Sequence, residues 1–175
     1  MTEARKLAHD SQEATRLADL IHRAPIGSYI GAEGAQILAN RACIELTLSP
    51  NEYLFRQGEK SASFFLIEEG RLARVRNQSN PDNPGIIHTL EKGDLVGELS
   101  CIDGTEHRQG VMALTQATVL QFRESDIEPL ITQHPRLMFD FMRAVIKRVH
   151  HTANEISKQQ MALSDYISSG GKGRM

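Results

Sequence analysis

The sequence predicts a mainly β protein with flanking helices, its strands antiparallel in a sandwich or roll. Three observations carry this. Between residues 43 and 123, short β-prone runs alternate with Gly58, Gly70, Gly85, Gly93, Gly97, Gly104 and Gly110. Turn signals every 8–15 residues favour antiparallel packing over a parallel α/β sheet, which needs long helical crossovers. On both sides of this block the apolar spacing changes to the helical period.

In order along the chain, Ala14, Leu17, Ala18 and Ile21 recur at helical spacing until Pro25 stops the run. A second short helix is predicted over 32–41. Strands are predicted over 44–48, 52–56, 64–68, 72–76, 86–90 and 117–122. Pro81 and Pro84 mark 77–85 as an exposed hairpin loop. A short helix is expected over 124–133, and Pro135 suits the first turn of another. From there to about Ile167 no further proline or glycine interrupts the chain. Met142, Val145, Val149, Thr152, Ile156, Gln159, Leu163 and Tyr166 alternate at steps of 3 and 4, the seam of a helix that pairs with another. The first turns of that seam suit the protein's own core, and the part beyond His150 suits a second copy. Gly170, Gly171 and Gly173 read as a flexible tail. These readings divide the chain into a helical extension (1–30), a β domain (31–134), a dimerisation helix (135–168) and a tail (169–175).

Composition excludes several classes. The 175 residues suffice for one domain, 40% of them are apolar, and the net charge is −2. Near-neutral charge gives no general attraction to DNA or to anionic membrane, and aromatics at 5% without Trp give no stacking platform for single strands. Cys43 and Cys101 are single and far apart, which argues against disulfides and zinc, and reads as two small buried hydrophobes in a reducing compartment. No apolar run approaches membrane-spanning length and no signal segment is evident, so a cytoplasmic protein is expected.

The segment from Gly93 to Gly104, with Arg108 after it, carries the chemistry. Gly93–Asp94 is a turn, Leu95–Val96 a short strand, and Gly97 allows a close backbone approach to a ligand. Glu98 to Ile102 can form one helical turn whose first N–H groups suit a phosphate. Arg108, returning on the next strand, adds a permanent bidentate charge. An ion pair with Asp103 or Glu106 is the competing use of Arg108. Glu98 is repelled by an anion, so its use there is to accept hydrogen bonds from a sugar hydroxyl.

This segment resembles the phosphate-binding cassette of cyclic-nucleotide-binding domains, as in the bacterial cAMP receptor protein family. Leu54-Phe55-Arg56-Gln57-Gly58-Glu59, Phe64-Phe65-Leu66-Ile67, Glu69-Gly70 and Gly93-Asp94 follow that pattern in order, as do Ala113, the run to Phe122 and His134-Pro135. The resemblance covers about 30–156. It implies an antiparallel β-roll, jelly-roll-like, with N-terminal helices and a long C-terminal dimerisation helix. It assigns the ribose 2′-hydroxyl to Glu98, and the cyclic phosphate to Arg108 and the amides of Leu99 and Ser100, with Val96 and Gly97 beside them. Where the family usually has Ser or Thr after the arginine, this chain has Gln109, a longer donor with a different aim, followed by Gly110. Strand alternation puts Ile86, His88 and Leu90 on one face. The resemblance sets that face beside the purine, and sets Thr152 of the long helix against the purine across a dimer.

The resemblance therefore implies a non-enzymatic, stand-alone sensor of cAMP or cGMP, without cofactor or metal. It would form a homodimer and signal through an effector protein by a change at the C-terminal helix. The helix before Pro25 and the tail after Ile167 are the expected docking elements. Only eight residues follow Ile167, too few for a DNA-binding module, and the basic side chains Arg143, Lys147, Arg148 and Lys158 read as a solvated face. Two alternatives remain from the residues. One is a degenerate roll that serves as a dimeric interaction module, with no ligand or with a different one such as a cyclic dinucleotide. The other is a cupin-type metalloenzyme, for which His88 and His107 lack the usual clustered ligands and His150–His151 diverge on their helix. A Cys101–His107 nucleophile pair has no third group to orient it.

Overall fold

Glycine and proline cut the middle of the chain into strands too short to stand alone, so their apolar faces must close on one another. In the computed structural model, which describes residues 2–7, 11–42, 44–76 and 85–168, they do so as two antiparallel sheets. Cys43, most of the expected loop at 77–85 and the glycine tail lie outside the described residues.

The elements run β1 (Glu3–Lys6), α1 (Ser11–Arg23), α2 (Gly27–Ala39), β2 (Ile44–Leu48), β3 (Tyr53–Phe55), β4 (Ser63–Glu69), β5 (Leu72–Arg76) and β6 (Gly85–Leu90). There follow β7 (Leu95–Val96), α3 (Glu98–Asp103), β8 (Gly110–Ala113), β9 (Ala117–Arg123), α4 (Glu124–Ile127), α5 (Leu130–Gln133) and α6 (Pro135–Ser168). One sheet has the order β1-β2-β9-β4-β7 and the other β3-β8-β5-β6. This is the antiparallel β-roll with flanking helices that the sequence implied.

The strand β4 shows why its sequence is apolar without alternation. Phe65 and Ile67 point between the sheets with Leu48, Leu72, Leu90 and Val119, while Phe64 and Leu66 point outward under the helices. A strand covered on both faces needs apolar residues throughout. The outer cluster joins Leu120 and Phe122 of β9 to Leu17 and Ile21 of α1, Leu38 of α2, and Phe141 and Val145 of α6. Each fully buried side chain of this size contributes roughly 1.5–3 kcal/mol relative to exposure.

The helix expected over 124–133 is two, α4 and α5, and two further elements differ from the sequence reading. The strand β1 pairs with β2 from Glu3↔Thr47 to Lys6↔Ile44, and it has no apolar alternation to reveal it. Charged residues are what an exposed edge strand carries, since they discourage further pairing. Arg5 of β1 bonds Glu45 of β2 and Glu13 of α1, and Arg16 of α1 pairs with Glu68 of β4. The helix expected over 32–41 is preceded by a turn from Gly27, with a break at Gly31 where φ is +68°.

The helix α6 starts against the roll and leaves it. Leu137, Phe141, Ala144 and Val145 are buried, whereas Val149, Met161, Leu163, Tyr166 and Ile167 are exposed. Thr152 is exposed as well, and the side chains of Ile156 and Gln159 lie outside the described residues. Among the described residues, no helix is long and apolar enough to cross a membrane.

Candidate functional site

The site begins with the turn before β7. Asp94 accepts from the Glu91 N–H through its side chain (2.9 Å), while Gly93 and Asp94 exchange backbone bonds with Ile67. This delivers Leu95–Val96 as a two-residue strand against β4, and the chain then turns at Gly97, whose φ is +79°. A β-carbon on Gly97 would meet the rings of His107 and Phe55 at 3.4 Å, an ordinary contact, so the backbone angle is what requires glycine here. Gly97→Ala is expected to lower the unfolding free energy by about 1–2 kcal/mol, the cost of holding an L-residue left-handed, as read from the denaturant midpoint.

After Gly97 the first helical bond of α3 runs from the Cys101 N–H to the Gly97 carbonyl (3.1 Å). The amides of Leu99 and Ser100 precede it and have no acceptor within the helix. Together with Val96, Gly97 and Glu98 they form one wall of a cavity of about 420 Å³. Arg108 and Gln109 line the same cavity. Seven of the ten residues singled out from the sequence thus come together.

Arg108 is exposed and sits in the loop two residues ahead of β8, not on the strand as expected. Among the described residues it forms no hydrogen bond or ion pair. Asp103, the partner considered for it, instead accepts from the Thr105 hydroxyl (2.6 Å) and amide (2.9 Å). Those two bonds hold the Asp103 carboxyl below the usual range, with the Arg108 charge a smaller contribution. Glu98 is 4% exposed, an expensive place for a carboxylate unless something answers its charge. The answer is Arg148 of α6, 4.0 Å from its Oε1 and donating to the Leu95 carbonyl at 3.0 Å. Arg148 is therefore no part of a solvated face: it ties α6 to the cavity wall, one residue from Val149, which lines the cavity.

The remaining three residues are elsewhere. Leu90 is 1% exposed in the core between the sheets. His88 pairs with Arg74 across β5 and β6 and is exposed, as are Ile86, Ile87 and Thr89. The ladder is regular from Leu90 to His88, so these two share a face as expected, and the register shift between Arg74 and Val75 takes only Ile86 out of that alternation. Thr152 is exposed on α6, away from the cavity within this chain.

Sequence reasoning missed His107 as a cavity residue. It is 3% exposed and stacks on Phe55 with ring centroids 3.6 Å apart and planes 13° from parallel. Burial pushes its pKa below the usual value, against the pull of Glu59. The sequence signal was present, since His107 adjoins Arg108, but its stacking partner lies some fifty residues away on β3. Cys101 is buried and its thiol is pushed up to about 11, by burial first and then by the charge of Glu124. That is the opposite of an activated nucleophile. Among the described residues, no group of three or more His, Cys, Asp or Glu side chains is placed to hold a metal ion.

The model of the cyclic nucleotide-binding domain matches residues 45–134. The lysophospholipase NTE1 of Cryptococcus neoformans var. neoformans is 25% identical over 108 residues, 62% of this chain and 6% of that protein. The present chain thus spans a small fraction of that relative. The N-terminal domain of a transcriptional regulator from Streptomyces coelicolor A3(2) superposes with a TM-score of 0.63 at 25% identity, covering 78% of this chain and 94% of that one. The regulatory domain of Toxoplasma gondii PKA, co-crystallised with cAMP, superposes with a TM-score of 0.67 at 19% identity, covering 81% and 51%, a likeness of fold alone. The matched span runs from β2 to the end of α5 and takes in the cavity wall up to α6, and on that ground this chain belongs to the cyclic nucleotide-binding domain family.

Proposed function

We propose that this chain is a non-catalytic sensor whose cavity binds a cyclic mononucleotide, cAMP or cGMP. The observation that carries the reading is Arg108, a permanent cation with no protein partner among the described residues. It lines the same cavity as Leu99 and Ser100, whose amides have no acceptor within α3. A fork of N–H donors in one cavity with backbone N–H groups fits a phosphate. Glu98, on the same wall, accepts from the ribose 2′-hydroxyl. Gln109 replaces a hydroxyl with an amide that still donates to the phosphate from its half-buried place in the wall.

The output passes through α6. Arg148 competes with the ribose for Glu98, so a ligand that takes Glu98 weakens a tie between α6 and the roll. The exposed Met161, Leu163, Tyr166 and Ile167 favour a homodimer along the distal part of α6, and an effector protein reads the change. His88 and Thr152 serve the base only in such a dimer or after a movement of β6. A mass near twice that of the chain by light scattering at tens of micromolar supports the dimer, and a monomeric mass refutes it.

Calorimetry of the purified chain with cAMP and cGMP tests the ligand. Saturable binding of either at micromolar concentration is the expected result. Binding of a cyclic dinucleotide alone would assign a different ligand, and no heat with any of the three would support the degenerate interaction module.

A further inference from the structure

His107 is more than packing. Its backbone is fixed on both sides, the N–H donating to the Glu59 carbonyl (2.8 Å) and the carbonyl accepting from the Gly58 N–H (2.9 Å). One ring face is covered by Phe55, and the Cε1 edge lies against Gly97, 3.4 Å from where a β-carbon there would sit. Nε2, bonded to that Cε1, is buried and has no hydrogen-bond partner among the described residues. Native proteins seldom leave a buried polar atom unanswered, and a phenylalanine would fill this place without leaving one. His107 lines the same cavity as Arg108, its neighbour in the chain, and its ring abuts Gly97, which precedes the first-turn amides of α3.

Resting on the cyclic-nucleotide reading above, we propose that His107 is a ligand contact whose Nε2 hydrogen-bonds the anionic cyclic phosphate held between Arg108 and α3. The contact gives binding a pH signature. Burial lowers the pKa of the imidazole in the free protein, by more than the charge of Glu59 raises it. Of the other charged groups around the cavity, Glu98 and Asp103 of α3 favour the imidazolium, while Arg74 of β5, Arg108 of the same loop and Arg148 of α6 oppose it. A bound phosphate adds a negative charge at Nε2 and screens Arg108, so the pKa of His107 rises on binding. A group whose pKa is higher in the complex takes up a proton as the complex forms. Affinity therefore increases as pH falls through the bound value and levels off below the free one. The cyclic phosphodiester keeps its single charge over this range and contributes no slope.

The test is calorimetry with whichever of cAMP or cGMP binds, at about pH 7.5 and about pH 5.5, in buffers of different ionisation enthalpy. The proteins are the wild type, His107→Gln and His107→Phe, with thermal unfolding confirming that each is folded. The wild type is expected to take up a fraction of a proton and to bind several-fold tighter at the lower pH, about tenfold for each pH unit by which the pKa rises. His107→Phe keeps the stack, loses about 5–10-fold in affinity near neutrality and loses the pH gain. His107→Gln keeps an N–H donor, binds within a few-fold of wild type near neutrality and shows no gain. A wild-type pH slope in His107→Gln, or wild-type affinity in His107→Phe, overturns the proposal while leaving the cyclic-nucleotide reading intact. If His107→Phe does not fold, the slope in His107→Gln decides. If the wild type binds neither nucleotide at either pH, both readings fall together.

Discussion

Arg108→Ala is expected to weaken binding of the cyclic nucleotide by about 100-fold or more and to leave the melting temperature within a degree or two. A bidentate guanidinium–phosphate pair supplies two charge-assisted hydrogen bonds, each worth about 1.5–3 kcal/mol, and about 1.4 kcal/mol is a factor of ten in affinity. The alanine also leaves the phosphate in a cavity where it meets Glu98 and Asp103 with less to offset them. Stability should not follow, because Arg108 is exposed and, among the described residues, forms no hydrogen bond or ion pair. Its one effect on the protein, helping to hold the Asp103 carboxyl low, is secondary to the bonds from Thr105. Arg108→Lys keeps the charge without the fork and should fall between the two. Calorimetry and differential scanning of the three proteins decide the matter. A loss under threefold in Arg108→Ala would mean that the phosphate does not sit at this arginine.

How far the site could be read from the sequence follows from which contacts are local. The run from Val96 to Ser100 and the pair Arg108–Gln109 lie within a dozen or so residues, and the left-handed turn at Gly97 leaves a glycine in the sequence as its mark. The wall they form was therefore legible. Phe55, Arg74, Val149 and Arg148 reach the same place from β3, β5 and α6, and nothing in their own neighbourhoods says so. His107 shows the intermediate case: its position beside Arg108 was visible, but its burial depends on a ring from β3. His88 and Leu90 failed for another reason. A period-2 argument gives a face and not a depth: His88 and Leu90 share a face on a regular ladder, but β6 is the edge strand of its sheet, where residues 86–89 are exposed while Leu90 is buried. The strand β1 left no pattern because an exposed edge needs none, whereas the two-sided burial of β4 was written plainly in its five apolar or small residues from Ser63 to Ile67.

The second large effect is in the core. Phe122→Ala is expected to cost about 3–5 kcal/mol, roughly 6–20 °C in melting temperature for a chain of this size. Phe122 is 2% exposed and stacks on Phe64, ring centroids 4.9 Å apart and planes 8° from parallel. Phe64 in turn meets Phe141 of α6 at 5.4 Å with the rings tilted by 48°. The three rings are the join between the five-stranded sheet and the long helix, so the void left by the alanine lies under α6 as well as within the sheet. Two turns further along, that helix supplies Arg148 to Glu98 and Val149 to the cavity. If the rings hold the helix in register, Phe122→Ala should also shift ligand affinity, although it touches no ligand. Urea unfolding and calorimetry on the same protein separate the two effects: a lowered midpoint with an unchanged slope reports the packing loss, and a changed affinity reports its transmission through α6. Ligand at 100 times its dissociation constant should restore about 2.7 kcal/mol, since it binds only the folded chain. A loss below 1 kcal/mol would show that the sheet and helix close over the void, and an unaltered affinity would show that α6 keeps its place on the cavity without this ring.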